Sequence, residues 1–185
     1  MVAKVIERII SDQLYDYLTK NNLSKHQSGF RAVHSTVTAL LEATDSWALN
    51  IDHGGLSNAV VFLDLKKALD TVDHEILLFK LRSFGIRGLA LRLFRSYIED
   101  RTQTCQIDCS KSTPKFLKCG VPQGTILGTL LFLLYINDLP LCLNFSHPRM
   151  YADDTSITCA GKDINDINDC LNPILPGGGG KLCPP

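Results

Sequence analysis

The chain has 185 residues, of which 45% are hydrophobic and 21% charged, a composition typical of a single globular domain and unlike that of a disordered protein. The 19 basic and 19 acidic side chains cancel, which excludes a uniformly positive surface for nucleic acid but not a local basic groove. The longest apolar run, Ile126 to Ile136, is too short to span a membrane. We therefore expect no membrane partner.

The cysteines favour an intracellular protein. Seven are present, an odd number, and none forms a CxxC pair, so a structural zinc site is not expected. The first residues lack the pattern of a secretory signal, which favours reduced thiols and a cytoplasmic or nuclear location rather than secretion. Because free cysteine is among the most buried residue types, we expect these side chains in the core.

The first part of the chain predicts two helices and a strand. Apolar residues at helical spacing predict a helix over roughly the first twenty residues. Ser35 is expected to cap a second helix, whose apolar face would be formed by Val37, Leu40, Leu41, Thr44, Trp47 and Ala48. The apolar, β-branched run from Ala59 to Leu65 predicts a buried strand, with Asp64 at its end.

The rest of the chain completes an α+β pattern. Asp73 is expected to cap a third helix that stops at Gly85, and a fourth amphipathic helix follows. Two short strands, a Gly/Pro loop, an apolar helix and a hairpin come next, with the sequences TQTCQID, KFLKC, GVPQG, ILGTLLFLLYI and PRMYADDTSITCA. Residues 173–185 have the composition of a flexible tail. The pattern predicts one domain over residues 1–172, with helices packed on a mainly antiparallel sheet.

Three carboxylates stand out as candidates for metal binding. If the strand ending at Asp64 lies beside the hairpin, Asp64 converges with Asp153 and Asp154, and three such groups repel one another unless cations offset them. Oxygen-only ligands select Mg²⁺ or Mn²⁺ rather than zinc. Two ions about 3.5–4 Å apart form the clamp used for in-line phosphoryl transfer. The alternative is that the aspartates are ordinary cap and turn residues, since Asp is common in turns.

Four motifs in register resemble the reverse transcriptases of non-LTR retrotransposons, of the jockey-like and related LINE type. They are LSKHQSGFRAVHSTVTALL (Leu23 to Leu41), FLDLKKALDTVDH (Phe62 to His74), GVPQGTILGTLLFLLYINDLP (Gly120 to Pro140) and YADDT (Tyr151 to Thr155). The resemblance runs from about Val2 to Asn172. It implies a polymerase palm over residues 56–172 preceded by partial fingers over residues 1–55.

The resemblance also implies the metal ligands and the reaction. Asp64 and Asp153 would hold two Mg²⁺ ions, for which Mn²⁺ can substitute, with the Leu65 carbonyl completing one site and Asp154 beside them. The implied activity is RNA-directed DNA polymerisation. Its partners would be an RNA template, a DNA primer and deoxynucleoside triphosphates.

Further residues are expected to contact the nucleotide, template or primer by the same resemblance. Gln123 and Gly124 match the loop that lies against the incoming nucleotide and template, and a glycine allows close approach of the backbone. Tyr151 is expected near the primer end. Arg31 matches a fingers position that contacts the triphosphate. His74 is expected to be a structural residue at a helix start rather than a catalytic base, because metal catalysis requires none.

Two departures from the family pattern leave a rival hypothesis open. Leu69 stands where the family usually has the phenylalanine that excludes a ribose 2′-hydroxyl, and Thr129 replaces a proline at the first turn of a helix. The resemblance also stops before the primer-holding and thumb segments. The alternative is therefore a catalytically inactive, truncated remnant of a retrotransposon reverse transcriptase. An RNA-templated RNA polymerase is a third hypothesis, which Leu69 alone favours.

Overall fold

The computed structural model describes residues 2–21, 23–142 and 147–172. In chain order the elements are α1 (Val2–Lys20), α2 (Thr36–Gly54), β1 (Ser57–Leu63), α3 (His74–Ser83), α4 (Gly88–Ile98), β2 (Thr102–Gln103), β3 (Gln106–Ile107), β4 (Ser110–Lys111), β5 (Lys115–Phe116), α5 (Ile126–Tyr135), β6 (His147–Tyr151), β7 (Asp154–Gly161) and α6 (Ile164–Leu171), with short 3-10 helices at Ala68–Asp70 and Leu139–Cys142. The predicted tail, residues 173–185, lies outside the described residues.

The chain divides into two compact units, each assembled from two separate segments. Among the described residues, the helical unit contains residues 2–21, 23 and 67–135, and the sheet unit contains residues 24–66, 136–142 and 147–172. The predicted boundary between fingers and palm near residue 56 stays a prediction. No helix of the described residues is both long and apolar enough to cross a membrane.

The helical unit is organised around α5. Seven of the 10 residues of α5 are buried, because its sequence is apolar on every side and it packs against both α1 and α3. Only the second half of α1 takes part in this core, through Leu14 and Leu18. The apolar residues of its first half are exposed, namely Val2, Val5, Ile6 and Ile9.

Local sequence signals place the other helices of this unit. The Asp73 carboxylate accepts a hydrogen bond from the Ile76 N–H, which confirms its predicted role as the N-cap of α3. Gly85, with φ of +86°, follows the end of α3 as predicted. The two predicted strands after α4 are present only as two-residue ladders, β2 with β5 and β3 with β4, and all of their residues are exposed.

The sheet unit holds a three-stranded antiparallel sheet in the order β1-β7-β6. The helix α2 covers one face, where the Trp47 indole N–H donates to the Thr158 hydroxyl at 3.1 Å. Ile157 is next to Thr158 in β7 and therefore points to the opposite face, where it packs against Leu63, Leu139 and Leu171. The mainly antiparallel sheet with helices packed on it confirms the predicted α+β architecture.

Two predictions for this unit need correction. The strand β1 lies two residues earlier than predicted and is only half buried, because it forms an edge of the sheet. Ser35 does cap α2, through a reciprocal pair of hydrogen bonds with Thr38. However, Ala43 is the buried residue of α2. Three members of the predicted apolar face are more than half exposed, namely Val37, Leu40 and Leu41.

The cysteines also differ from the prediction. A disulfide joins Cys159 in β7 to Cys170 in α6, with a Cα–Cα distance of 6.1 Å. The expectation that all thiols are reduced was wrong for this pair, because α6, which the sequence analysis did not predict, packs directly on β7. Cys105, Cys109 and Cys119 are free and exposed, so the expectation of buried cysteines was wrong for these three.

Candidate active site

The two adjacent aspartates at the turn between β6 and β7 differ in position and in exposure. Tyr151 pairs with Asp154, so the turn itself consists of Ala152 and Asp153. Asp153 is half-buried, whereas Asp154 is the exposed first residue of β7. Ala152 has φ of +57°, a left-handed conformation that two-residue hairpins require but that alanine rarely adopts.

The register of β1 against β7 brings the third aspartate to the same end of the sheet. Leu63 pairs with Thr155, and Asp64 and Asp154 are the next residues outward on the two strands. Since neighbouring strands lie about 4.8 Å apart, the backbone at Asp64 is close to the start of β7. The sequence-based expectation that β1 lies beside the hairpin is confirmed.

Among the described residues, none of the side chains of Asp64, Asp153 and Asp154 forms a hydrogen bond or an ion pair. Nor do the described segments contain a group of three or more His, Cys, Asp or Glu residues that could hold a metal ion. The donors nevertheless suit Mg²⁺, which is commonly held by one or two carboxylates together with substrate phosphates and water.

The other predicted site residues of the sheet unit, Leu65, Tyr151 and Arg31, differ in their local environment. Leu65 lies just beyond Asp64 and is exposed, and Tyr151 is half-buried at the end of β6. The Arg31 guanidinium donates through one nitrogen to the carbonyls of Ser24, at 2.8 Å, and Gln27, at 3.1 Å. One guanidinium nitrogen of Arg31 therefore stabilises the loop that contains it. The predicted contact of Arg31 with a triphosphate stays a prediction.

In the helical unit, the GVPQG loop is fixed by the segment that follows the first aspartate motif. The Gly120 N–H donates to the Val72 carbonyl at 2.7 Å and the Val121 N–H donates to the Leu69 carbonyl at 2.8 Å. The Gln123 side chain donates to the Asp70 carboxylate at 2.7 Å. These hydrogen bonds connect the segment that contains half-buried Leu69 to the loop that contains exposed Gln123.

Glycine is required in this loop for two different reasons. Gly120 has φ of +91°, and a Cβ there would lie 2.8 Å from the Asp70 carbonyl oxygen. Gly124 has φ of +69° but open space around it, so its requirement is conformational. His74 is buried, with Nε2 2.8 Å from the Gly120 carbonyl, as expected for a structural histidine.

A hydrogen-bond network anchors the end of the GVPQG loop to α1 and α4. The Tyr97 hydroxyl lies 3.0 Å from the Thr125 hydroxyl and donates to the Glu7 carboxylate. Thr125 in turn donates to the Pro122 carbonyl at 2.7 Å. Burial, followed by the hydrogen bond and charge of Glu7, raises the pKa of Tyr97 to about 12.

Sequence reasoning missed Gln27, Asp70 and Tyr97 as supporting residues. Asp70 lies within the FLDLKKALDTVDH motif and Tyr97 lies in the amphipathic helix α4, and neither residue has a sequence signal of its own. Gln27 lies within the LSKHQSGFR motif, which was the available signal, but its contact is 125 residues away in the chain. No local pattern predicts such a contact.

Comparison with known proteins agrees with this architecture. The family model described as "Reverse transcriptase (RNA-dependent DNA polymerase)" matches residues 1–175, and the chain belongs to this family. Reverse transcriptases as a family use divalent metal ions.

The similar proteins of known origin are polymerases of mobile elements, which indicates a reverse transcriptase of the non-LTR type. The chain is 34% identical over 183 residues to a probable RNA-directed DNA polymerase from transposon BS of Drosophila melanogaster, covering 94% of this chain and 20% of that protein. It is 31% identical over 183 residues to the RNA-directed DNA polymerase from mobile element jockey of the same species, with the same coverage. The chain is a reverse transcriptase domain of the non-LTR retrotransposon type and spans about a fifth of the length of these relatives.

Solved structures support the fold. Telomerase from Candida albicans, in complex with a TWJ fragment of telomeric RNA, matches with a TM-score of 0.61 at 16% identity, over 91% of this chain and 30% of that one. Apo telomerase from Candida tropicalis matches with a TM-score of 0.61 at 14% identity, over 89% and 35%. At these identities the likeness concerns the polymerase palm-like fold alone.

Proposed function

We propose that this chain supplies the catalytic carboxylates of an RNA-directed DNA polymerase, which extends a DNA primer with deoxynucleotides on an RNA template. The observation that carries the proposal is the register of β1 and β7, which places Asp64 beside the hairpin that holds Asp153. Membership of the reverse transcriptase family supports the reaction type. An intracellular location, cytoplasmic or nuclear, is part of the proposal.

Asp64 and Asp153 are proposed as ligands of two Mg²⁺ ions, with the Leu65 carbonyl completing one site and Asp154 alongside. Divalent ions bound there would acidify the primer 3′-hydroxyl and offset the charge of the triphosphate. The absence of a protein cation bound to these carboxylates, within the described segments, supports this assignment. Asp64 and Asp153 would hold the ions at fixed positions, because the sheet fixes the strands next to which these residues lie.

The remaining proposed contacts concern nucleotide, template and primer. Gln123 and Gly124 are proposed to contact the incoming nucleotide and the template, supported by the exposure of both residues. Tyr151 is proposed to contact the primer end. Arg31 is proposed to contact the triphosphate with the donors that its loop does not use.

Primer extension tests the proposal. The purified chain, and a chimera in which it replaces the corresponding segment of a jockey-like relative, are assayed with a DNA primer on an RNA template in Mg²⁺ and in Mn²⁺. Asp153→Asn is the test variant, and Asp169→Asn, an exposed position in α6, is the matched control. We expect extension that Asp153→Asn abolishes and Asp169→Asn preserves.

Two outcomes contradict the proposal in different ways. Equal extension by the wild-type chimera and its Asp153→Asn variant would show that Asp153 is not a catalytic ligand. A folded wild-type chimera that extends nothing would favour the inactive remnant. The variant Leu69→Phe would then show whether the departure at position 69 causes the inactivity.

A further inference from the structure

The side chain of Gln27 binds both backbone polar groups of Ala152. Its Nε2 donates to the Ala152 carbonyl at 3.1 Å, and its Oε1 accepts from the Ala152 N–H at 2.9 Å. The same Oε1 accepts from the Gly29 N–H at 2.7 Å. Gln27 is 1% exposed, so water does not compete for these hydrogen bonds and their loss would leave buried polar groups unpaired.

The backbone around Gln27 is also joined to the hairpin. Gln27 forms a parallel bridge with Met150, in which the Met150 N–H donates to the His26 carbonyl and the Ser28 N–H donates to the Met150 carbonyl, both at 2.8 Å. This short segment therefore continues the sheet beyond β6. The edge of β6 that would otherwise be free is paired at Met150.

Glycine is required at position 29 because of the same turn. A Cβ on Gly29 would lie 2.1 Å from the Ala152 nitrogen, which is far inside van der Waals contact. The close approach lets the Gln27 amide reach Ala152. Substitution of Gly29 would push the two segments apart.

The residue held in this way has an uncommon conformation and precedes Asp153. Ala152 has φ of +57°, which L-residues other than Asn, Asp and Gly rarely adopt without support. The Gln27 amide is complementary to the two polar groups of Ala152 in this conformation. Because Asp153 follows Ala152 directly, the direction of its carboxylate depends on the peptide that Gln27 holds.

We propose that Gln27, with Gly29 as its spacer, is a positioning residue for the Asp153 carboxylate. The role rests on the proposed function, since it concerns the geometry in which Asp153 binds a divalent ion. Gln27 itself contacts neither metal nor substrate. Partners of this kind typically change metal affinity about ten- to a hundredfold when they are removed.

The test uses Gln27→Met in the full chain, because methionine has a similar length but cannot replace the hydrogen bonds. Gln27→Glu is the second variant, which keeps the acceptor and the volume but lacks the donor to the Ala152 carbonyl when ionised. Gln13→Met, at an exposed position in α1, is the matched control. Free Mn²⁺ measured by electron paramagnetic resonance gives the Kd, and amide hydrogen exchange reports on Ala152.

We expect Gln27→Met to weaken Mn²⁺ binding about tenfold or more and to accelerate exchange of the Ala152 amide, with Gln13→Met changing neither. If Gln27→Met does not fold, Gln27→Glu is expected to weaken Mn²⁺ binding about tenfold or more, while the Ala152 amide keeps its acceptor and exchanges at close to the wild-type rate. Asp153→Asn should weaken Mn²⁺ binding without accelerating exchange at Ala152. That difference separates a ligand from a residue that positions it.

Two results would overturn the inference and can be told apart. If Asp153→Asn weakens Mn²⁺ binding but folded Gln27 variants retain wild-type affinity, the positioning role is wrong while the metal site stands. If Asp153→Asn itself leaves Mn²⁺ binding unchanged, the metal site of the proposed function is wrong, and the positioning role is wrong with it.

Discussion

Leu63 and Thr155 form the final pair between β1 and β7, and the residues that follow this pair outward are Asp64 and Asp154. Two segments separated by about half of the chain thus end at the same edge of one sheet. Because every side chain would change face if the strands slipped by one residue, the register is strongly specified. The position of the candidate metal ligands is therefore a consequence of strand pairing.

The raised pKa of Tyr97 predicts a pH dependence of stability. The folded protein holds the phenolic proton more tightly than the unfolded chain, because burial and Glu7 disfavour the ionised form. The stabilisation is fully present below pH 10 and is lost as the pH rises through the folded pKa of about 12. Urea midpoints should fall more steeply above pH 10 in the wild type than in Tyr97→Phe.

Tyr17→Phe is the matched control for this experiment, since it also removes a hydroxyl that donates from a tyrosine, here to the Phe84 carbonyl. Its urea midpoint at neutral pH shows what the loss of such a hydroxyl costs apart from any titration. If the urea midpoints of the wild type and Tyr97→Phe fall equally above pH 10, ionisation of Tyr97 does not change the free energy of unfolding.

The hydrogen bond between Gln123 and Asp70 should couple the two residues energetically. Both side chains are exposed, so the coupling in a double-mutant cycle of Asp70→Ala and Gln123→Ala should be small, about 0.5 kcal/mol in the free energy of unfolding. A pair with no coupling would mean that Gln123 is free to move in solution.

The substitution Asp73→Ala should lower the free energy of unfolding by about 1 kcal/mol, because it removes the N-cap of α3.

The disulfide between Cys159 and Cys170 should stabilise the sheet unit. It closes a loop with a sequence separation of 11 residues, and Cys170→Ser should lower the free energy of unfolding by roughly 2–3 kcal/mol. The exposed free thiol Cys105 provides the control, since Cys105→Ser should change stability little. Alkylation followed by mass spectrometry should modify Cys105 but not Cys159 in the unreduced protein; alkylation of Cys159 would contradict the disulfide.

Leu69→Phe should increase the preference for deoxynucleotides over ribonucleotides. A larger aromatic side chain leaves less room for a 2′-hydroxyl, and steric rejection of this kind is worth about tenfold or more in the ratio of kcat/KM values. The measurement compares dNTP and rNTP incorporation by the chimera with and without the substitution. An unchanged ratio would mean that position 69 does not contact the sugar.

Sequence reasoning succeeded where the signal is local. Ser35 and Asp73 cap their helices because a short polar side chain can accept hydrogen bonds from N–H groups two or three residues later. The hairpin was predicted from two strand-like runs on either side of YADD, and the antiparallel sheet followed from it. The candidate metal ligands Asp64, Asp153 and Asp154 could be located by motif, and they lie at or next to the ends of these strands.

It failed where the outcome depends on distant partners. Of the predicted apolar face of α2, Trp47 contacts the sheet, whereas Val37, Leu40 and Leu41 stay exposed. The helix α6 is an exception, because its signal is local: Asp163 is its N-cap, and the Asp163 carboxylate accepts from the N–H groups of Asn165 and Asp166. The contact between Gln27 and Ala152 has no sequence signature at all.

The most direct test of the metal site is a Mn²⁺ titration of the wild type, Asp64→Asn, Asp153→Asn and the double variant, with folding verified by circular dichroism. If Asp64 and Asp153 share bound ions, each substitution weakens binding, and the double variant loses less than the product of the two single effects because the ligands act together. Wild-type affinity in both single variants would contradict the account, since the two carboxylates would then hold no metal.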